Sequence, residues 1–475
     1  MKKPSGKNAQ HQATHDVKIA CADPHDDHDK TSKARKRKAP GQTSDETSDE
    51  IPEVHCITDE RAMITLAVQT PDQSDEEVAE MLAELAELLE TAGFRVAGSV
   101  IQRRPRIDRS SYFGTGKAIE IRRLLAETGA AGVVADDELS ALQAKRLEEG
   151  VEAAVSDRTG IILDIFSHHA STREGKLQVE LARLQYRLVR LVGGYTGLSR
   201  QGGGIGAKGP GETKVETDRR VLKFRIKHLQ EDLEKVVASR QTQRSKRSEF
   251  YAPLFALVGY TNAGKSTLLN AVSGSNVEVH DGLFTTLDPT ARRVSLPSGR
   301  TAVVSDTVGF IQKLPHALVQ AFRATLEDVV NAQIVVHVVD ASHPRAIDRI
   351  AVVRDVLGQI GVVEKETLMV FNKIDLTPEG VIDSLGRAYP DAIFLSAATK
   401  ENIRGLLERI DAIMARRYRV IECVLAANSP LVKLVMQLGR VEKQEWEEGK
   451  VTIRAEVPEN LLSRLEPFLA NGVSR

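Results

Sequence analysis

Residues Gly259-Tyr260-Thr261-Asn262-Ala263-Gly264-Lys265-Ser266 carry the spacing GxxxxGKS between the apolar run LFALV and the helix-like TLLNAVSG. A strand that turns sharply into a helix aims unpaired backbone N–H groups, and the positive end of the helix dipole, at one point, which is the chemistry of phosphate binding. Lys265 supplies a charge that reaches β- and γ-phosphates and Ser266 a hydroxyl for magnesium, and Thr267 follows in the first helical turn as a further nucleotide-contacting residue. One such match arises by chance, but three more elements follow in order. The strand TAVVSD ends in Asp306-Thr307-Val308-Gly309, putting a carboxylate near the metal and a glycine amide near the γ-phosphate. The strand LMVF leads into Asn372-Lys373-Ile374-Asp375, whose last carboxylate can accept from guanine N1–H and the N2 amine, a donor pair that adenine lacks. The strand AIFL meets Ser396-Ala397-Ala398, small enough for a backbone amide to approach guanine O6. The four together imply a P-loop GTPase domain over about 251–417 that hydrolyses GTP to GDP and phosphate.

Between the first and second elements, the run Leu283-Phe284-Thr285-Thr286-Leu287-Asp288-Pro289-Thr290 stands where a switch loop belongs. We expect Phe284, Thr285 and Thr286 to contact the nucleotide, with Thr286 closing on magnesium beside Ser266 and Asp306, and Thr285 as its rival. Phe310 follows Gly309 where many small GTPases place a glutamine that orients the attacking water. A phenyl ring cannot do that, so no side-chain base is identified. Hydrolysis must draw on a backbone group, another residue or something a partner supplies, and intrinsic turnover should be slow.

These residues need elements to hold them. From about residue 61 to 170, apolar runs (MITLAV, FRVAGSVI, AAGVVAD) alternate with amphipathic stretches, one opening on the capping box Ser74-Asp75-Glu76-Glu77 and another capped by Ser140. Strand–helix alternation predicts a parallel α/β subdomain, closing with strands at AAVSD and GIILDIF. From about 171 to 250 the pattern changes to two long polar helices forming a coiled-coil-like arm, with 18 Lys and Arg against 9 Asp and Glu. Alternating charge solvates such a hairpin, yet an excess of one sign in one segment is also a nucleic-acid footprint. Its helices are joined by a glycine-rich loop bearing Arg200, Gly202, Gly203, Gly204, Gly206, Lys208 and Lys214, a basic tip able to enter a phosphate-lined space. Gly204 to Gly209 also matches GxGxxG, but a helix and not a strand precedes it, which rules out a dinucleotide site. From about 418 to 475, strands at VIECVLAA and GKVTIRAEVP around a helix at PLVKLVMQLG predict a small α/β domain in which the single tryptophan, Trp446, packs. The fold class is therefore α/β and multidomain.

Over 475 residues, 65 Lys and Arg nearly cancel 66 Asp and Glu, and 41% of residues are hydrophobic. This excludes wholesale disorder and wholesale basicity. The exception is about 1–60, where Lys, Asp, His, Ser and Thr dominate and a disordered tail is expected; its run Lys33 to Lys38 could touch RNA, and His25 and His28 could hold a metal weakly. Three scattered cysteines, Cys21, Cys56 and Cys423, encode neither a disulfide framework nor a zinc site. No apolar run reaches the about 18 residues of a spanning helix, and MKKPSGKNAQHQ lacks a signal peptide's apolar stretch. We expect a cytoplasmic protein, associating at most peripherally with ribosomes or membrane, and a monomer.

Beyond the GTPase motifs, the chain resembles the HflX family of bacterial translation-associated GTPases. The matching stretches are Tyr112-Phe113-Gly114-Thr115-Gly116-Lys117, Asp157-Arg158-Thr159, Glu174 to Leu181, Ser199 to Gly206, Gly209 to Thr213, and Asp218-Arg219-Arg220. The resemblance runs from about Arg61 to Phe468 and excludes the tail. It implies a large (50S) ribosomal subunit partner, with the glycine-rich loop near the peptidyl-transferase region and 23S rRNA, and a GTP state that splits stalled or idle 70S ribosomes, particularly under heat stress. It also implies Mg2+ and, through Asn262, a K+ ion near the β- and γ-phosphates that would neutralise charge as an arginine finger does. Val189 departs from the proline expected in the arm. A ribosome-assembly or RNA-binding GTP switch without splitting activity is the alternative, and a GTP switch directed at a protease or other protein would not need the arm's charge. The N-terminal subdomain shows no phosphate loop that would suit ATP.

Overall fold

A computed structural model of the chain describes residues 62–195, 210–248, 253–274, 283–284, 290–313, 315, 318, 326–362 and 365–470. The expected tail and the tip of the arm lie outside the described residues.

The first sheet has four parallel strands in the order β2-β1-β3-β4: β1 (Ala62–Gln69), β2 (Arg95–Arg103), β3 (Gly132–Ala135) and β4 (Ala154–Asp157). Every residue of the interior strand β1 is buried, as its unbroken apolar run requires. Helix α1 (Asp75–Thr91) opens on the capping box, Ser74 Oγ accepting from Glu77 N at 3.1 Å while Glu77 accepts from Ser74 N at 2.9 Å. Helices α2 (Thr115–Thr128) and α3 (Ala141–Val151) follow. The run GIILDIF is not a strand. It lies in helix α4 (Arg158–His169), whose N-cap Asp157 accepts from Gly160 N at 2.9 Å. Ile161, Ile162, Leu163, Ile165 and Phe166 are all buried, so the stretch is apolar nearly all round and lacks the periodic polar face that marks a helix in sequence.

Helices α5 (Arg173–Tyr195) and α6 (Pro210–Ser248) pack on each other to form the arm. Helix α5 continues through Val189, which is exposed and leaves the helix unbroken where a proline would disturb it. The arm is tied to the first sheet at Asp157, which accepts from Tyr186 Oη and Arg190 Nη2, both at 2.7 Å. Of the basic tip, Arg200, Gly202, Gly203, Gly204, Gly206 and Lys208 lie outside the described residues, and Lys214 falls in the early turns of α6.

The second sheet has the order β10-β9-β8-β5-β7-β6, built from β5 (Leu254–Gly259), β6 (Thr290–Ser295), β7 (Thr301–Asp306), β8 (Ile334–Asp340), β9 (Thr367–Asn372) and β10 (Ile393–Phe394). All pairs are parallel except β6 with β7. It carries α7 (Lys265–Ser273), α8 (Glu327–Asn331), α9 (Ala346–Gln359), α10 (Glu379–Ala388) and α11 (Ile403–Ala415). One apolar cluster joins the first two sheets, running from Met63, Leu85 and Phe166 to Ala256, Phe310 and Leu357.

The third sheet is antiparallel, ordered β11-β13-β12, from β11 (Tyr418–Ala426), β12 (Arg440–Glu447) and β13 (Lys450–Pro458), with α12 (Pro430–Leu438) and α13 (Glu459–Leu465) over its own apolar cluster. Trp446, expected to pack, is instead 56% exposed. It sits on edge strand β12, where only Val441 is even partly shielded. Cys423 is buried and unpaired. Among the described residues no helix is long and apolar enough to cross a membrane.

Candidate functional site

The first element of the site lies where β5, in the middle of its sheet, turns into α7. A Cβ at Gly259 would strike the Val338 carbonyl of β8, and Gly264, at φ +86°, takes a backbone conformation that other residues rarely adopt and would strike the Asn372 amide. Asn262 is also left-handed, at φ +57°. Lys265 is buried, its Nζ donating to the Gly259 and Tyr260 carbonyls at 3.2 and 2.8 Å. Burial pushes its ammonium down to about 8, against the opposing pull of Asp306 and with a smaller push from Lys373. A cation held so deep by two carbonyls is poised to gain from an anion. Thr261 adds a buried hydroxyl without a partner, and Ala263 is buried behind the loop.

Strand β7 delivers Asp306 beside the start of α7. Ser266 Oγ donates to Asp306 Oδ2 at 2.5 Å, and Thr307 N donates to Asp306 Oδ1 at 2.9 Å. Thr307 Oγ1 donates to the Leu257 carbonyl at 2.6 Å, so its side chain fixes β5 and not a ligand. A hydroxyl and a carboxylate converging at a helix N-terminus form an all-oxygen pair, which fits Mg2+ once phosphate and water complete the shell. A Cβ on Gly309 would lie 2.8 Å from Thr261 Cγ2 and 3.1 Å from Lys265 Nζ, so only glycine lets this backbone close on the loop. Val308 is buried.

Strand β9 ends at Asn372, whose buried side chain ties two loops together. Its Nδ2 donates to the Ala263 carbonyl at 2.8 Å and its Oδ1 accepts from Ala397 N at 2.9 Å. Lys373, left-handed at φ +65°, pairs with Asp340 at 2.7 Å. Asp375 stands exposed in the short 3-10 turn Ile374–Leu376, free to meet a ligand edge. Ser396 is fully buried with its Oγ accepting from Thr399 N at 3.1 Å, while Ala398 is exposed. The structure thus brings the first, second, third and fourth motifs to the ends of neighbouring strands, on one side of the sheet.

Other expected residues sit differently. Phe284 is buried with its ring edge-on to Phe166 of α4 at 4.7 Å, so its side chain is committed to packing and only its backbone could meet a nucleotide. Thr285 and Thr286 lie outside the described residues. Phe310 is buried in the central apolar cluster, and its backbone bridges to the loop, Phe310 N donating to Gly259 O at 3.1 Å and Thr261 N to Phe310 O at 2.7 Å.

Sequence reasoning missed the contribution of α1. Only its amphipathic pattern and the capping box that opens it were singled out, yet Glu77, Glu80, Glu84 and Thr91 recur at helical spacing and face the second sheet. Glu77 and Glu80 pair with Arg345, Glu84 accepts from Tyr260 Oη, and Thr91 Oγ1 accepts from Leu283 N at 3.2 Å. The i, i+3, i+7, i+14 run of polar residues was the available signal. Arg349 completes the contact by lying over the Tyr260 ring at 4.4 Å.

Similarity to known proteins gives the chain its family. Residues 79–167 match the family described as "GTP-binding GTPase N-terminal", 169–247 the "GTP-binding GTPase Middle Region", and 254–373 the "50S ribosome-binding GTPase". The GTPase HflX of Lacrimispora saccharolytica is 43% identical over 86% of this chain and 96% of its own length, and that of Escherichia coli is 41% identical over 84% and 94%. A solved GTP-binding protein from Sulfolobus solfataricus, in complex with GDP, aligns at 22% identity and a TM-score of 0.40 over 74% of this chain and 98% of its own. Relatives matched across both the nucleotide motifs and the helical arm leave one conclusion: the chain belongs to the HflX family of GTPases and is a GTP hydrolase.

Proposed function

We propose that this chain binds the large ribosomal subunit and, in its GTP state, separates 70S ribosomes into subunits, with hydrolysis resetting it. The observation that carries the reading is the match of residues 254–373 to the 50S ribosome-binding GTPase family, joined to an arm segment with twice as many basic as acidic residues. The arm's loop with Arg200 and Lys208, continued by Lys214 in the early turns of α6, is the proposed contact to 23S rRNA. The setting is the cytoplasm, and the working form a monomer.

Within the site, the loop amides from Gly259 to Ser266, with Thr267, hold the phosphates. Lys265 neutralises the β/γ charge, the Gly309 amide meets the γ-phosphate, and Asp375 with the Ser396-Ala397-Ala398 loop selects guanine. Ser266 and Asp306 would hold Mg2+, with Thr286 or its neighbour Thr285 as the third ligand, and the ion would supply charge neutralisation at the phosphates. Asn262 is exposed and turned left-handed at the loop's crown, a position suited to K+.

The test is GTP hydrolysis by the purified chain with and without 50S subunits and 70S ribosomes, in K+ and in Na+, followed by sedimentation. Stimulation by 50S with GTP-dependent loss of 70S is the expected result. Binding to immature particles with 70S intact would instead identify an assembly factor, and equal rates in the two salts would remove the K+ role.

A further inference from the structure

The segment after Gly309 is held at both ends, and the two holders belong to different sheets. On one side Phe310 is bridged to Gly259 and Thr261, and Gln312 N donates to Tyr260 Oη at 2.8 Å. On the other, Lys313 Nζ lies 2.6 Å from Asp136 of the first sheet and 2.6 Å from the adjacent Asp137. The two holders meet underground. Tyr260 Oη donates to Glu84; Glu84 accepts from Arg158 Nη2; Arg158 Nη1 donates to Asp136 at 2.6 Å; and Tyr112 Oη donates to Asp137 at 2.8 Å. Arg158, Asp136, Glu84 and Tyr260 are all buried.

Charge makes this arrangement resistant to opening. Three carboxylates, Glu84, Asp136 and Asp137, face two cations, Arg158 and Lys313. If Lys313 withdrew, the buried Arg158 would have to offset both Glu84 and Asp136, and an under-compensated buried charge is far costlier than a paired one. Lys313 is also left-handed, at φ +56°, a conformation that a non-glycine residue keeps only when its surroundings enforce it. Because Phe310 offers no polar side chain, the placing of the Gly309 backbone is one contribution this chain can make next to the γ-phosphate where a glutamine would otherwise act.

We infer that Tyr260 and Lys313 are positioning residues, through which Glu84 of α1 and Asp136 and Asp137 just beyond β3 set the Gly309 backbone for GTP hydrolysis. The inference rests on the proposed seat of the γ-phosphate between Lys265 and Gly309. Tyr260→Phe keeps the ring and its contact with Arg349 and deletes only the hydroxyl. Lys313→Met removes the charge from a partly exposed side chain, and Lys313→Arg restores it. In steady-state hydrolysis by the full chain with Mg2+, kcat falls fivefold or more in Tyr260→Phe and in Lys313→Met. KM for GTP stays within twofold, and Lys313→Arg recovers kcat to within twofold of the parent. Thermal melting checks that each variant is folded, and should Tyr260→Phe fail to fold, the Lys313 pair carries the test alone. A smaller change in kcat, a rise, or a loss confined to KM overturns the inference, since a purely structural contact would lower the melting temperature and leave kcat alone. Lys265→Ala separates the two levels. If it binds GTP as the parent does, the reading of the phosphate seat fails; if it loses affinity while Lys313→Met keeps its kcat, only the positioning role fails.

Discussion

Lys265 illustrates how far a single residue can be followed. Its spacing from Gly259 marks it in sequence, because a phosphate loop is contiguous and its chemistry is written in neighbouring residues. Its depressed ammonium is not written there, since the burial that lowers it, the opposing Asp306 and the nearby Lys373 are brought together by elements far apart in the chain. The sign is definite. Below about 8 the free protein already carries the proton that phosphate needs, and affinity should be flat; above it the lysine must first be protonated, and affinity falls by about tenfold per pH unit until the bound-state pKa is reached. Titrating GTP binding between pH 7 and 9.5 checks this, and a flat profile throughout would contradict it. Tyr260 is the opposite case. It occupies a variable position of GxxxxGKS, and its partner Glu84 is 176 residues away, so nothing local points to the contact.

At the scale of elements, the outcome depended on whether each segment had a face in water. α1 and α3 were legible because their capping boxes and apolar stripes are intact, and β1 because an interior strand reads as one apolar run. α4 was misread as a strand because it is buried nearly all round, so only its N-cap Asp157 betrayed it. β12 went unnoticed because an exposed edge strand needs no apolar alternation. The burial of α4 gives a prediction. Arg158→Met leaves Glu84 and Asp136 without their shared cation, and breaking a buried pair costs on the order of 3–5 kcal/mol. Urea unfolding should show the midpoint move down accordingly, while a shift of under about 1 kcal/mol would place the pair among weak surface contacts.

The whole molecule divides by apolar core more than by motif. The first two sheets share one cluster, so they should melt together, whereas the third sheet keeps its own. What joins the third sheet to the second is one aromatic ring, Tyr418 of β11 buried in the second sheet's apolar cluster, and a polar set around it: Arg300 pairs with Asp411 at 2.7 Å and Glu456 at 2.5 Å and lies over the Tyr418 ring at 5.0 Å. Calorimetry should resolve a large transition and a smaller one. Arg300→Met should lower the smaller by several degrees and leave the larger in place; a single undivided transition in both proteins would refute the division. Motif reading divided the chain along its length and could not reveal that 62–170 and the GTPase motifs share a core, because a shared core is a property of contacts between distant segments.

Asp157 and Arg158 are consecutive, and they hold opposite things: the first accepts from Tyr186 and Arg190 in the later turns of α5, the second grips the carboxylates behind Tyr260 and Lys313. A single peptide unit therefore joins the residues that hold the arm to those that hold the catalytic loop, and the opening turn of α4 is the shortest covalent path between them.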